Sequence, residues 1–292
     1  SENSITGICI GLAIAGYRPV LTHQRLDFAL LSLDQIINNA AKVHYMFGGK
    51  LTCPIVIRMI MGRGWGQGPT HSQNLQQMFA GIPGLRVVIP SNPQDAYSLL
   101  RASIACNDPV IFLEHRWLHN AKENIKLEFN INDLRKQQII EDGDSYTIVA
   151  CSYMIPEAIR ASKCLKNYYS IYGTLINFRN YSSKYIDEVI ESCSKTNNLL
   201  IADTAQNSFS IAHKLAIDVM EKCENIKNIK ILTMPDTPEP TSYFLTKNFY
   251  NGAKEIIEGL EEILGEDFSV AKNELTIPTH HDIPGDWFKG PF

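Results

Sequence analysis

The sequence predicts an α/β protein built as two parallel-sheet units, each sheet covered by helices on both faces. Three observations lead there. Short β-branched runs, such as Pro54-Ile-Val-Ile-Arg-Met-Ile60 and Pro109-Val-Ile-Phe-Leu113, are apolar almost throughout, as buried parallel strands are. Longer stretches with apolar residues at helical spacing separate these runs. The alternation fades from His115 to about Gly143, where polar residues dominate, and then resumes; this marks a connector between two units.

In chain order, Asn3–Ala15 is small and apolar all round and stops at Gly16, which predicts a buried helix closed by a glycine. Arg18–His23 reads as a strand. Phe28–Phe47 carries Leu30, Leu31, Leu33, Ile36, Ile37 and Ala40 at helical spacing and ends at Gly48-Gly49. After the strand Pro54–Ile60 comes a glycine-rich loop, Gly62–Gly68. Helix His71–Ala80, strand Arg86–Ile89, helix Pro93–Ala105 and strand Pro109–Leu113 complete the first unit. The second unit has strands Tyr146–Cys151, Ser170–Phe178, Leu199–Asp203 and Ile229–Thr233. Its helices are Pro156–Lys166, Lys184–Cys193, Phe209–Glu221 and Ala253–Leu264. After Gly265 the prolines and glycines at Pro278, Pro284, Gly285, Gly290 and Pro291 predict an irregular tail. The expected divisions are 1–120, a connector 121–139, 140–265 and a tail 266–292.

Composition narrows the function. The chain has 292 residues, 45% of them hydrophobic and 20% charged, which excludes a disordered or fibrous protein. A net charge of −4 gives no basic field for nucleic acid. The longest apolar run, Ile8–Ile14, is too short to span a bilayer. The opening residues lack the basic stretch of a secretory or transit signal. Seven cysteines, an odd number with no C-x-x-C pair, predict reduced buried thiols and a cytoplasmic location.

Read alone, the candidate chemical groups each have a plain structural explanation. Glu2 at a helix start is a capping acid favoured by the helix dipole. Gly62-Arg-Gly-Trp-Gly-Gln-Gly68 has neither P-loop nor Rossmann spacing and reads as a tight connector packed near Trp65. His71 follows a strand and the glycine loop, where open α/β sheets bind ligands, and its imidazole can move protons near neutral pH. His115, Arg116, His119, His280 and His281 have no acidic companion at a metal-ligand spacing. The acidic run Glu255–Glu262 reads as a solvated helix face.

Together these residues resemble a family. The run Ser1-Glu2, Thr6-Gly7, Gly11, Ala15-Gly16-Tyr17-Arg18-Pro19, Asp27-Phe28, Asp34-Gln35-Ile36-Ile37-Asn38, Ala40-Ala41-Lys42, Tyr45-Met46 and Gly48-Gly49 continues through His71-Ser72-Gln73. Pro83-Gly84-Leu85, Asp95-Ala96 and Pro109-Val110 extend it. It resembles the beta subunit of thiamine-diphosphate-dependent 2-oxo acid dehydrogenases, the E1 component, over residues 1–114. The likeness is looser over 140–264.

The resemblance implies a pyrimidine-binding domain followed by a transketolase-type C-terminal domain. It implies that Glu2 hydrogen-bonds N1′ of the aminopyrimidine, that Phe28 packs on that ring, and that His71 stands near the reacting centre. A carboxyl at N1′ favours the imino form of the ring, and the thiazolium takes the electrons left by departing carbon dioxide. The cofactor's diphosphate and Mg2+ are held in this family by a G-D-G segment. Here Asp142-Gly143-Asp144 lacks its downstream context, so the resemblance implies a shared site completed by an alpha-type subunit in an α2β2 assembly. No metal ligand is expected on this chain.

Several departures stand out. Cys106 replaces the aspartate common in the family's monovalent-cation loop near 103–108. The C-terminal D-L-R-T is replaced by Ile176-Asn177-Phe178-Arg179-Asn180, and an acidic glycine-rich segment by Asp203-Thr204-Ala205-Gln206. The family's elements before the glutamate are not in the sequence, so a fragment, a processed product or supply by another chain is expected, with no activity for this chain alone. Two alternatives stay open. One is a split transketolase-like carboligase for a sugar-like ketone, with Gln24, Arg25 and Arg63 near the site to suit a hydroxylated or acidic substrate. The other is a degenerate structural or regulatory subunit.

Overall fold

The computed structural model describes residues 1–63, 66–276 and 280–290. In chain order the first sheet and its cover are α1 (Glu2–Ile14), β1 (Val20–His23), α2 (Leu26–Ala29), α3 (Val43–Met46), β2 (Val56–Met61), α4 (Gln76–Ala80), β3 (Arg86–Val88), α5 (Pro93–Ala105) and β4 (Val110–His115). The four strands are all parallel, in the order β1-β2-β4-β3. A second sheet follows, from β5 (Gln138–Glu141), β6 (Thr147–Ala150), α6 (Met154–Tyr169), β7 (Thr174–Asn177), α7 (Asp187–Thr196), β8 (Asn198–Gln206), α8 (Ala212–Lys222), β9 (Asn228–Met234), α9 (Ala253–Leu264) and α10 (Ser269–Glu274). Its order is β5-β7-β6-β8-β9, parallel except for β5.

The two-sheet plan agrees with the sequence, and α5 and α9 span the expected residues. The differences have physical causes. Uniform apolarity gives α1 no readable face, and it is not fully buried. Thr6, Ile10 and Ala13 face the core, whereas Ile8 is 63% exposed and Ile5, Leu12 and Ile14 are also uncovered. The helix expected over 28–47 begins at Leu26 and is interrupted. Its buried residues Leu26, Ala29, Ser32, Ile36, Ala40 and Val43 advance in steps of three and four, and Gln35–Ala40 widens so that the Ala41 N–H donates to Ile36 O at 3.1 Å. Leu31, placed on that face by spacing, is exposed.

The stretch expected to be a featureless connector contains 3-10 turns at Arg116–Asn120 and Ile131–Arg135 and the edge strand β5. β5 is half-buried on alternate residues, a weak signal in so short a run. The tail is not wholly irregular, since α10 packs on α6 and α9. Pro278 and Pro291 lie outside the described residues.

The two units are joined by buried polar contacts. The chain leaving β7 lies along β3: Ile89 N–H donates to Arg179 O at 2.9 Å and Tyr181 N–H to Val87 O at 3.0 Å. Asp95 of α5 accepts from Asn177 Nδ2 at 2.6 Å and from Arg179 Nη1 at 3.0 Å. Asp203 in β8 accepts from Gln76 Nε2 at 3.0 Å, Cys151 Sγ at 3.2 Å and Ser210 Oγ at 2.5 Å, and the Tyr181 hydroxyl also donates to it. The two segments that depart from the family pattern therefore lock one unit to the other.

All seven cysteines are free. Burial pushes the Cys53 thiol up to about 11, where it is unreactive. Among the described residues no helix is long and apolar enough to cross a membrane.

Candidate active site

Parallel strands all end at one edge, and the loops leaving that edge carry the candidate residues. β1 ends at His23 and leads within five residues to Phe28. β2 ends at Met61 and leads to the His71 loop. β4 ends at His115. α1 joins this edge from the opposite direction. A 13-residue helix rises about 20 Å, and the short turn at 15–19 sends it back along β1. Glu2 thus returns to the level of His23.

Burial lowers the His23 pKa, and the nearby Glu2 carboxylate opposes that shift. Ser1 caps the helix, with its Oγ accepting from Ser4 N–H at 3.4 Å. Among the described residues the Glu2 carboxylate has no hydrogen-bond partner, so it remains available to a ligand.

Phe28 and His71 meet edge to face, with centroids 5.3 Å apart and planes at 84°. Their neighbours hold them there. Asp27 Oδ1 accepts from Gln73 Nε2 at 2.8 Å and from Gln73 N–H at 3.4 Å, tying α2 to the His71 loop. Thr70 Oγ1 lies 3.0 Å from His71 Nδ1, which leaves Nε2 for a substrate. His71 does not open a helix as its sequence context predicts. It sits in a loop, and α4 begins at Gln76, anchored by the Gln76–Asp203 bond. The structure brings Phe28 and His71 into contact; Glu2 stands on the same edge, linked to them through His23 and β1.

The glycine loop packs against protein. Gly62 has φ +76°, and a Cβ there would lie 2.0 Å from His115 Nε2. His115 accepts from Trp117 N–H through Nδ1 at 3.2 Å, and burial, helped by His119 and Arg25, takes its pKa down to about 3, so the ring is neutral. A Cβ on Gly68 would strike Thr241 Oγ1. At Gly62 and Gly68 the chain is packed closely, as a tight connector would be; Gly64 and Trp65, near which the loop is expected to pack, lie outside the described residues.

Of the side chains expected to suit a hydroxylated or acidic substrate, the two arginines are committed elsewhere. Arg63 pairs with Asp282 at 2.6 Å and donates to Pro240 O and the Tyr250 hydroxyl. Arg25 donates to Gly62 O at 2.9 Å, and Gln24 is exposed.

Two residues at the site have contacts that their sequence neighbourhood does not reveal. Glu239, 6% exposed, arrives from the chain after β9. Burial raises its pKa to about 7, while its Oε1 accepts from the Tyr250 hydroxyl at 2.6 Å. Asp27 keeps Oδ2 buried and unpartnered. A third, His23, also has an unpartnered buried atom, Nε2; its position at a strand end was a usable signal.

The aminopyrimidine half of thiamine diphosphate fits this edge: a free carboxylate, an aromatic side chain 37% exposed, and an imidazole beside it. Among the described residues no cluster of three or more His, Cys, Asp or Glu side chains is placed to hold a metal ion. Asp142, in the D-G-D run, pairs with Lys195 at 3.2 Å instead. The 103–108 loop does not fit a bare monovalent cation: Arg18 already donates to Ile104 O at 3.0 Å, Cys106 O at 2.7 Å and Asn107 Oδ1 at 2.6 Å.

Comparison with known proteins identifies the family. Residues 1–121 match the transketolase pyrimidine-binding domain, and residues 135–256 the transketolase C-terminal domain. The chain is 35% identical over 268 residues to the beta subunit of acetoin:2,6-dichlorophenolindophenol oxidoreductase from Bacillus subtilis, covering 91% of this chain and 78% of the relative. The chain belongs to the E1 beta-subunit family of thiamine-diphosphate-dependent 2-oxo acid dehydrogenases. To another E1 beta relative, the mitochondrial pyruvate dehydrogenase E1 component subunit beta of Saccharomyces cerevisiae, it is 29% identical over 273 residues, covering 90% of this chain and 74% of the relative. A solved split-gene transketolase, described as an inactive beta4 tetramer, shares the fold. Its TM-score is 0.74 at 16% identity, covering 91% of this chain and 82% of that one.

Proposed function

We propose that this chain is the pyrimidine-side half of an enzyme that decarboxylates a 2-oxo acid and passes on the acyl unit. The observation that carries the proposal is the Phe28–His71 ring contact on the same sheet edge as the uncommitted Glu2 carboxylate. When bound, thiamine diphosphate supplies the electron sink for decarboxylation. Glu2 holds a proton at N1′ of the ring, Phe28 fixes the ring plane, and His71 Nε2 moves a proton at the substrate. An alpha-type subunit supplies the diphosphate site and its Mg2+, and the assembly is α2β2. The uncovered apolar side of α1, with Phe28 and Leu31 nearby, supports such a partner. The units 1–120, 121–139, 140–265 and 266–292, and a cytoplasmic location consistent with seven free thiols, belong to the same proposal.

The test is co-expression with an alpha-type subunit that carries the diphosphate motif. The complex is expected to consume a 2-oxo acid only with thiamine diphosphate and Mg2+ present, and the chain alone to be inactive. Equal turnover by the lone chain would refute the shared site. A second reading, ketol transfer from a sugar-like ketone without release of carbon dioxide, is favoured by the polar side chains Gln73 and Asn74 beside His71.

A further inference from the structure

Residues 280–290 lie beyond the matched C-terminal domain, which ends at residue 256, yet they return to the loop that carries His71. They are anchored at two buried points. Glu157 of α6, 1% exposed, accepts at Oε1 from Gly285 N–H at 2.9 Å and from Trp287 Nε1 at 2.5 Å. Phe288 is buried in the core of the second unit beside Trp117, with ring centroids 6.2 Å apart.

Two routes lead from this tail to the glycine loop. The first is polar. Asp282 Oδ2 pairs with Arg63 Nη2 at 2.6 Å, and the side chains are 15% and 5% exposed. With so little water in reach, loss of Asp282 leaves the guanidinium without its ion-pair partner. Arg63 Nη1 meanwhile donates to Pro240 O at 3.1 Å, so one side chain staples the loop both to the tail and to the chain after β9. The second route is aromatic. Trp117 packs on His115, with centroids 5.1 Å apart, and the His115 ring lies so close to Gly62 that a Cβ there would collide with it. Gly62 and Arg63 are consecutive, so both routes converge where β2 gives way to the loop. The loop's own bonds carry the constraint onward: Gly62 N–H donates to Gln73 O at 3.4 Å, and His71 N–H donates to Gly68 O at 3.2 Å.

We propose that Asp282 is a positioning residue of the active site: by clamping Arg63 it fixes the start of the glycine loop, and the C-terminal tail thereby sets where His71 stands beside Phe28. Asp282 acts through Arg63 and the loop, not at the substrate. The inference rests on the catalytic role proposed for His71. A proton-transfer group misplaced by about 1 Å loses rate on the order of 10²-fold, so a clamp remote from the chemistry can govern turnover.

The test compares wild type, Asp282→Asn and Asp282→Glu in the complex with the alpha-type subunit, by amide hydrogen exchange and by turnover of pyruvate and 2-oxobutanoate. Asp282→Asn is expected to quicken exchange over residues 66–73 by about tenfold while β6 exchanges as in wild type, because the opening is local. It is also expected to lower kcat by about tenfold or more with KM within twofold. Asp282→Glu, which keeps the charge, is expected to recover at least half of both losses. Unchanged exchange over 66–73, equal quickening in β6, or a kcat within twofold of wild type overturns the assignment and leaves the decarboxylase proposal standing. If wild type turns over neither acid, that failure belongs to the decarboxylase proposal, and Asp282 is judged by exchange alone. Loosening of 66–73 by Asp282→Asn with recovery by Asp282→Glu then supports the clamp; no loosening overturns it.

Discussion

Glu239 is the residue whose environment makes the sharpest prediction. Its carboxyl is buried between the units, and burial raises its pKa to about 7 from the 4.5 of an exposed glutamate. The native state therefore favours the protonated form. The group costs stability above pH 7, and the cost disappears as pH falls toward 4.5, with an upper bound of about 3 kcal/mol. Glu239→Gln is expected to raise the melting temperature at pH 8 and to give no gain at pH 5, measured as the difference from wild type. That difference removes the opposite contribution of His115, whose depressed pKa costs stability as pH falls below 6.5. Glu2, Phe28 and His71 stand out in the sequence as candidates because each matches a residue type in an ordered pattern. Glu239 does not, because it reaches the His71 loop from more than 160 residues away. Asp27 gave half its role, since its neighbour Phe28 drew attention to the segment while its bond to Gln73 depends on tertiary structure.

At the scale of elements, the segment after β7 shows how a departure from a family pattern can carry a structural role. Asn177 and Arg179 hold the buried Asp95 of α5, and Asp133 adds a 3.6 Å contact to Arg179. Removing one member of a buried pair strands the other, at about 3–5 kcal/mol. Arg179→Ala is expected to destabilise by about 3 kcal/mol in denaturant unfolding, with the Asp95→Asn change recovering part of the loss in the double variant. The turn between α5 and β4 makes a second element-level prediction. Its carbonyls already accept from Arg18, so the melting temperature is expected to be the same in KCl and in an equal concentration of choline chloride. Arg18→Ala should lower it in both salts. Strands buried on both faces announced themselves by continuous apolar runs. β5 did not, because an edge strand with one half-buried face looks like polar connector, and α1 did not, because a helix apolar on every side has no face to read.

For the whole molecule, the uncovered face of α1 and the uncommitted carboxylate at its start make the same claim: one chain carries half of a site. Ile8→Glu alters a side chain that is 63% exposed, so the chain is expected to keep its melting temperature while losing the alpha-type partner in size-exclusion chromatography. The central claim is chemical, that Glu2 acts on the aminopyrimidine of a cofactor gripped elsewhere. Its most direct test is the turnover of the reconstituted complex with Glu2→Gln, at saturating thiamine diphosphate and Mg2+, with assembly checked in parallel. The rate is expected to fall by about 10²- to 10⁴-fold, the range for loss of a positioned proton-transfer group, while the complex stays assembled. A fully assembled variant that turns over within threefold of wild type would contradict the account.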